Sequence, residues 1–413
     1  MSTVRPFRGL LPKVELAEKV MALPYDVMNR EEAKEMADGN PYSFLHITRS
    51  EIDLSQDISA YDPQVYQKAR ENLNAFQAQG VLQQEPQSCY YLYQQEMKGR
   101  KQVGVVATVS VEEYESGIIK KHEFTRVEKE EDRVRHFQTC EAHTEPVFLT
   151  YRNQREIDEI MEECMRKTQP LYRITGKDGV EHALYRLENE EKVRRLEELF
   201  CSVDYLYIAD GHHRCASAAR VGKWKKEENP NHRGDEEYNF FMAVVFPENQ
   251  LRIFDYNRVV KDLNGLESAD FLQRLRDSGF EVDPMGEEPY QPEKKHTFGM
   301  FLEGVWYRLV PEESLIRADI IQDLDVSILS DFVLEPILGI QDLRRDNRID
   351  FVGGIRGLKE LERRCNHDMK VAFAVYPVDV SDLLRVADAG FVMPPKSTWF
   401  EPKLASGLFV HPF

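Results

Sequence analysis

Cysteine is sparse and scattered: six residues in 413, at positions 89, 140, 164, 201, 215 and 365, with no C-x-x-C pair. That spacing offers neither a disulfide framework nor a zinc or iron–sulfur site, and reduced intracellular thiols are the expectation. Long apolar runs are missing as well. No segment reaches about 18 uninterrupted apolar residues, so no membrane span is expected and the chain reads as cytoplasmic. Basic residues are outnumbered, 54 Lys and Arg against 72 Asp and Glu, for a net charge of −18. A field of that sign argues against a broad nucleic-acid or membrane surface, though not against a small basic pocket. There is no internal repeat, no Walker A sequence and no G-x-G-x-x-G loop, which disfavours the usual nucleotide folds.

What is present is the balance of a folded globular chain, 42% hydrophobic and 31% charged, long enough for two or three domains. Asn29 with Glu32 three residues on makes a capping box before a helix that Gly39-Asn40-Pro41 closes. SFLHITR (43–49) reads as a strand. From Asp62-Pro63 to Gly80, the spacing of Val65, Ala69, Leu73 and Phe76 predicts an amphipathic helix. Residues 88–97 and 102–111 form a hairpin turning at Gly99-Arg100. The charged run 118–137 begins as strand and becomes helix. FFMAVVFP (240–247) is a buried strand, with LRIFDYNRVV (251–260) as its hairpin partner. The proline- and charge-rich stretch 284–295 is the linker candidate, separating residues 1–283 from 296–413. Strands and helices alternate irregularly with many hairpins, so the class is α+β, with mixed sheets and packed helices.

The chain is organised around YIADGHHRCASAAR (207–220). A short β-type run stops at Asp210-Gly211 and an Ala-rich helix opens. The first N–H groups of a helix lack internal partners and its dipole favours negative charge, so a strand–glycine–helix junction is an anion site. His212, His213 and Arg214 add up to three cationic or donor side chains there. Cations at a helix start are unfavourable unless an anion is present, which sets this apart from an ordinary turn with half-buried histidines. Gly211, His212, His213 and Arg214 are therefore the phosphate- or nucleotide-binding candidates. Asp210 can orient a histidine or hold a metal-bound water. Zinc is not expected, since adjacent histidines do not share a helix face and no third ligand is spaced to join them. Cys215, in the first helical turn, is where a thiol pKa can fall.

Two further constellations can wall such a site. His122-Glu123 comes where a strand-like run ends, and a carboxylate there can take the proton of a substrate hydroxyl. Glu123, His122, His213 and Asp210 are the catalytic candidates. MPPKSTWFEPKL (393–404) is a stiff proline-broken loop presenting Lys396, Ser397, Thr398 and Lys403, suited to a phosphate or carboxylate. Arg5 can take a carboxylate, and Asp26 can position Mg²⁺ or an amine. These six are the substrate-binding candidates.

The Gly211–Arg214 segment resembles the phosphate-binding box of the ParB/sulfiredoxin superfamily, a Gly-x-x-Arg helix start that grips nucleotide phosphates in sulfiredoxins, free-serine kinases and partition proteins. The reactive cysteine of the sulfiredoxin box would fall at His212 or His213, so sulfiredoxin chemistry is not implied. Over nearly its whole length, through VRPFRGLLP, LPYDVM, KKHEFT, ADGHHR and MPPKSTWFEPKL, the chain resembles the domain-of-unknown-function 1015 family. These resemblances imply a ParB/sulfiredoxin-like nucleotide- or phosphate-binding core and, through the family's association with serine-biosynthesis genes, a serine or phosphoserine substrate. The expectation is a phosphoryl-transfer enzyme on a small hydroxyl or phosphorylated metabolite, as kinase or as phosphatase, with ATP or ADP and Mg²⁺. The rival is a nucleotide- or metabolite-binding regulator without turnover.

Overall fold

Tyr90–Met97 and Arg100–Ser110 form a long antiparallel ladder, with Tyr91 opposite Val106 and Met97 opposite Arg100. The turn between them is made by Lys98 and Gly99, both at positive φ, as a tight hairpin turn requires. This pair lies inside a nine-stranded mixed sheet. Its order runs Ile119–Lys120, Leu206–Asp210, Val147–Tyr151, Phe240–Pro247, Arg100–Ser110, Tyr90–Met97, Glu181–Leu187, Tyr172–Thr175, with Val4–Arg5 added on Arg100–Ser110. Leu206–Asp210 pairs in parallel with Ile119–Lys120 and antiparallel with Val147–Tyr151, which is itself parallel to Phe240–Pro247.

The computed structural model describes residues 1–413. The large sheet belongs to one of two compact units, Met1–Leu251 together with Pro402–Phe413; the other unit is Arg252–Glu401. The last residues of the chain are tied into the first unit by pairing of His411 with His143, Leu10 with Val410 and Ala22 with Ser406.

Both faces of the large sheet are covered, which is why Phe241–Phe246 is buried without interruption. Its main core includes Leu149, Ile208 and Val245 from strands and Val134, Phe137, Ile157, Leu196, Cys215 and Ala218 from helices. Val65, Ala69, Leu73 and Phe76 form the buried stripe of the helix Pro63–Ala78, as their spacing predicted. Asn29 and Glu32 make the reciprocal capping box.

The second unit is a six-stranded antiparallel sheet, in the order Phe280–Gly286, Val305–Pro311, Phe298–Leu302, Val371–Ala374, Tyr256–Val260, Ile349–Gly353. Helices Ser268–Asp277, Asp325–Leu329, Leu358–Cys365 and Val380–Asp388 accompany it. Apolar clusters around Phe298 and Leu309 and around Trp306 and Val352 cover its faces.

Three expectations are corrected. SFLHITR is helical over Leu45–Thr48, because Phe44 and Ile47 enter one core as successive turns; a short apolar run does not by itself separate strand from buried helix. Phe240–Pro247 and Tyr256–Val260 are not hairpin partners but belong to different sheets. The stretch 284–295 is not an interdomain linker. Pro284 to Gly286 continue the strand Phe280–Gly286, edge-paired so that proline is tolerated, and the compact units divide after Leu251 rather than in this stretch.

Candidate functional site

Leu206–Asp210 slips register against Val147–Tyr151 just before the motif: Ile208 faces Leu149, yet Asp210 faces Phe148. A bulge of this kind re-aims the residues that follow it. Gly211 then caps the helix His212–Glu228 at φ 98°. The glycine is needed twice over. That φ is strained for any other residue, and a Cβ there would stand 3.0 Å from Nε of Arg214. No side chain caps the helix start and no acid lies in its first turn.

Arg214 is 3% exposed and lies folded back over this glycine. Its Nη1 donates to the Pro146 carbonyl, and Nη2 stands 3.4 Å from Oδ2 of Asp210. Burial works against the guanidinium charge, but Asp26, Asp210 and Glu145 outweigh it. Asp210 is the reciprocal case. Burial would raise its pKa, yet Lys403, Arg214 and the Gly211 N–H pull it down to about 2, so it is ionised. Nζ of Lys403 is 3.6 Å from Oδ2 of Asp210.

The histidines correct the expectation that they add cations. His212 Nε2 accepts from the backbone N–H of His122 at 3.4 Å, and its ring meets the His122 ring edge-on at 4.4 Å. His213 Nε2 accepts from the N–H of Arg126 at 2.9 Å. An accepting Nε2 puts the proton on Nδ1 and leaves the ring neutral. Burial lowers the pKa of all three, with His122 brought to about 4. The two histidines fasten the 122–126 segment to the helix start. Cys215 departs likewise: burial raises its thiol rather than lowering it.

That fastening aligns two helices. His213 meets Arg126, Ser217 Oγ donates to the Glu130 carbonyl at 2.9 Å, and Lys225 pairs with Glu141. Positions rise together along both chains, so Val127–Cys140 and His212–Glu228 run parallel with their N-termini side by side. Two positive dipole ends thus converge, with neither helix start capped by a side chain. Exposed Lys121, Arg126 and Lys129 surround this junction, and each depresses the pKa of His212 or His213.

Beneath it lies a charge cluster that the sequence reading did not assemble. Glu145, 2% exposed, accepts from the Tyr25 N–H at 3.0 Å and from Ser406 Oγ at 2.7 Å. Arg133 stands 3.8 Å from Glu145, 2.7 Å from Asp132, and over the Tyr25 ring at 4.0 Å. Asp26 acts electrostatically on Glu145, Arg214 and His213. Glu145 directly before Pro146, at the mouth of an otherwise apolar strand, was the available signal.

The other candidates scatter. Glu123 is exposed between Ile119–Lys120 and Val127–Cys140. Arg5 lies over the Phe240 ring at 3.9 Å and 3.7 Å from Glu237, a structural pairing. Lys396, Ser397 and Thr398 belong to the second unit, whereas Lys403 belongs to the first. There Lys396 Nζ sits over the Tyr256 ring, its carbonyl accepts from Arg258, and buried Ser397 donates to the Pro394 carbonyl. No group of three or more His, Cys, Asp or Glu side chains is arranged to hold a metal ion, and no helix is long and apolar enough to cross a membrane.

The model of the family described as protein of unknown function DUF1015 matches residues 4–327, and the chain belongs to that family. No curated protein matches the chain. Among solved structures, a free serine kinase in complex with AMP is similar at TM-score 0.34 and 13% identity, over 71% of this chain and 86% of that one. C-terminally truncated SbnI from Staphylococcus aureus is similar at TM-score 0.38 and 12% identity, over 73% and 85%. A conserved hypothetical protein from Pyrococcus furiosus is similar at TM-score 0.34 and 14% identity, over 71% and 90%.

Proposed function

We propose that this DUF1015 protein is a phosphoryl-transfer enzyme whose phosphate ligand sits at the paired helix starts of Gly211–Arg214 and Arg126. The observation that carries this is the side-by-side placement of two parallel, uncapped N-termini ringed by Lys121, Arg126 and Lys129. Ionised Asp210 and the first-turn acids Glu128 and Glu130 offset part of this positive field, and the N–H groups and cations that remain favour an anion. The ligand groups are the backbone N–H donors of the helix start and the surrounding cations, with Gly211 leaving room for the Arg214 side chain folded over it. Arg214 acts from below as a buried charge held by Asp210 and Glu145. The likeness to the ParB/sulfiredoxin phosphate box is part of this reading.

In the kinase direction a substrate hydroxyl oxygen attacks the terminal phosphorus of ATP, the bond to ADP breaks, and the hydroxyl proton passes to a base. Exposed Glu123, on the loop that ends in Arg126, is the proposed base. His122, His212 and His213 hold that loop in place, and Asp210 keeps Lys403 and Arg214 oriented. Serine with phosphoserine is the favoured pair, on the family resemblance. Mg²⁺ would need the nucleotide's own oxygens to complete its shell, because protein carboxylates do not cluster for it.

The test leaves the buried groups alone. Arg214→Ala would strand the Pro146 carbonyl and two carboxylates and so confound binding with stability. Lys121→Ala combined with Arg126→Ala removes exposed cations only. ADP affinity measured by calorimetry should fall about tenfold or more, a cost of about 1.4 kcal/mol per tenfold. Unchanged affinity rejects the site. Absence of ATP/ADP interconversion with serine or phosphoserine rejects the enzyme.

A further inference from the structure

Beside the helix starts, the first unit holds a cavity of about 120 Å³. It is lined by Arg49, Lys129 and Arg133 on the positive side and by Asp26, Glu51 and Asp132 on the negative side, with Tyr25, Tyr61, Ala60 and His136 among the rest. The room exceeds that of one water, about 30 Å³ in the liquid. It falls well short of the roughly 300 Å³ and more of pockets for drug-sized ligands. A small metabolite fits; a nucleotide does not.

The charges decide its chemistry. Three cations face three carboxylates, so neither a phosphate nor a polyamine finds a complementary lining. Arg49 is already 2.9 Å from Glu51, and Arg133 is 2.7 Å from Asp132. A ligand that bears both signs can extend such pairs without leaving either partner uncompensated. Three buried atoms on cavity-lining residues lack hydrogen-bond partners: Nε of Arg49, 2.9 Å from Glu51, Nη1 of Arg133, 3.8 Å from Glu145, and Nδ1 of His136. His136 donates from Nε2 to the Ile47 carbonyl at 3.0 Å, so its Nδ1 is a bare acceptor. Asp26 and Asp132 beside Arg49 and Arg133 give an ammonium and a carboxylate partners of opposite charge within one small cavity.

We infer that this cavity binds a small α-amino acid as its zwitterion, with the carboxylate on Arg49 and Arg133 and the ammonium on Asp26 and Asp132. It is the acceptor subsite of the proposed transfer, and it rests on that reading only for the phosphoryl group brought to the helix starts. Lys129 lies at both places, and Tyr25 and Asp26 join the cavity to the Glu145 cluster.

The experiment measures binding to the full-length protein without nucleotide, by calorimetry, using serine, glycine, glycolate, ethanolamine and inorganic phosphate. Serine and glycine should bind, while glycolate and ethanolamine, each lacking one charge, bind about tenfold or more weakly. Ala60→Phe, which fills the cavity from its half-buried rim, should abolish serine binding and leave ADP binding unchanged. Tyr61→Ala, at a position 54% exposed and so safe for folding, should weaken serine several-fold. Failure of every amino acid to bind, equal binding of glycolate, or serine affinity untouched by both variants overturns the inference. Retained ADP binding in any of those outcomes leaves the phosphate reading standing. Serine binding without ADP binding does the reverse.

Discussion

The two units handle buried charge in opposite ways. The first draws Arg133, Glu145 and Arg214 into its interior and sets each against opposite charges, Asp132 and Glu145 beside Arg133, and Asp210, Asp26 and Glu145 around Arg214. It also buries neutral His122, His136, His143, His182 and His212, whereas only His296 and His367 of the eleven histidines lie in the second unit. The second unit gives buried Arg258 to the main-chain carbonyls of Tyr256 and Lys396, and desolvation brings its pKa down to about 10. Its buried Asp325 accepts from the His296 N–H and is pushed up to about 7. Paired interior charges depend on every partner and place a field where a ligand can use it. Charges tied to backbone brace an antiparallel sheet.

Acid should separate the units most strongly. In the unfolded chain the histidines take up protons below about pH 6.5, and each tenfold loss of proton affinity on folding is worth about 1.36 kcal/mol. In the fold, burial holds His122, His136 and His182 to about 4, and His143 and His212 well below their usual value. Their stability contribution is full above pH 6.5 and is lost as pH falls from there towards 4. Asp325 has the opposite sign: it favours the fold at low pH and loses that contribution as pH rises towards 7. Hydrogen exchange between pH 7 and 5 should show the first unit loosening while strands of the second hold. Equal loosening would break the comparison.

Glu145→Leu comes next. It leaves Arg133 short of a partner and strips acceptors from Tyr25 N–H and Ser406, at a cost of about 3–5 kcal/mol. Urea unfolding followed by exchange should place that loss in the first unit, and a cost under about 1 kcal/mol would mean the cluster is decorative. Gly211→Ala should cost least, about 1–2 kcal/mol for the left-handed backbone. It should also weaken ADP binding, because its Cβ displaces Arg214. Weaker ADP binding without any stability change would place the glycine's role in ligand approach alone.

Local signals were legible where one segment settles its own structure. The Asn29–Glu32 box, the stripe of Pro63–Ala78 and the hairpin turn, expected at Gly99-Arg100 and found one residue earlier at Lys98-Gly99, each needed no distant partner. The helix start at Gly211 was legible for the same reason. What stayed hidden depends on long-range pairing. Residues 43–49 are helical because of the core they enter, and Tyr25 meets Glu145 across 120 positions. The histidines were misjudged because a ring's charge is set by the N–H it accepts, not by its place in the sequence.

The return of Pro402–Phe413 to the first unit has a consequence for biosynthesis. Lys403 holds Asp210, and Ser406 holds Glu145, so the ionic interior needs residues that follow the second unit in the chain. The second unit, wholly encoded upstream of them, is available to fold while the first still lacks its closing segment. A nascent chain stalled short of residue 402 would carry the large sheet without Lys403 and Ser406, so the ionic interior closes only after the whole second unit has been translated.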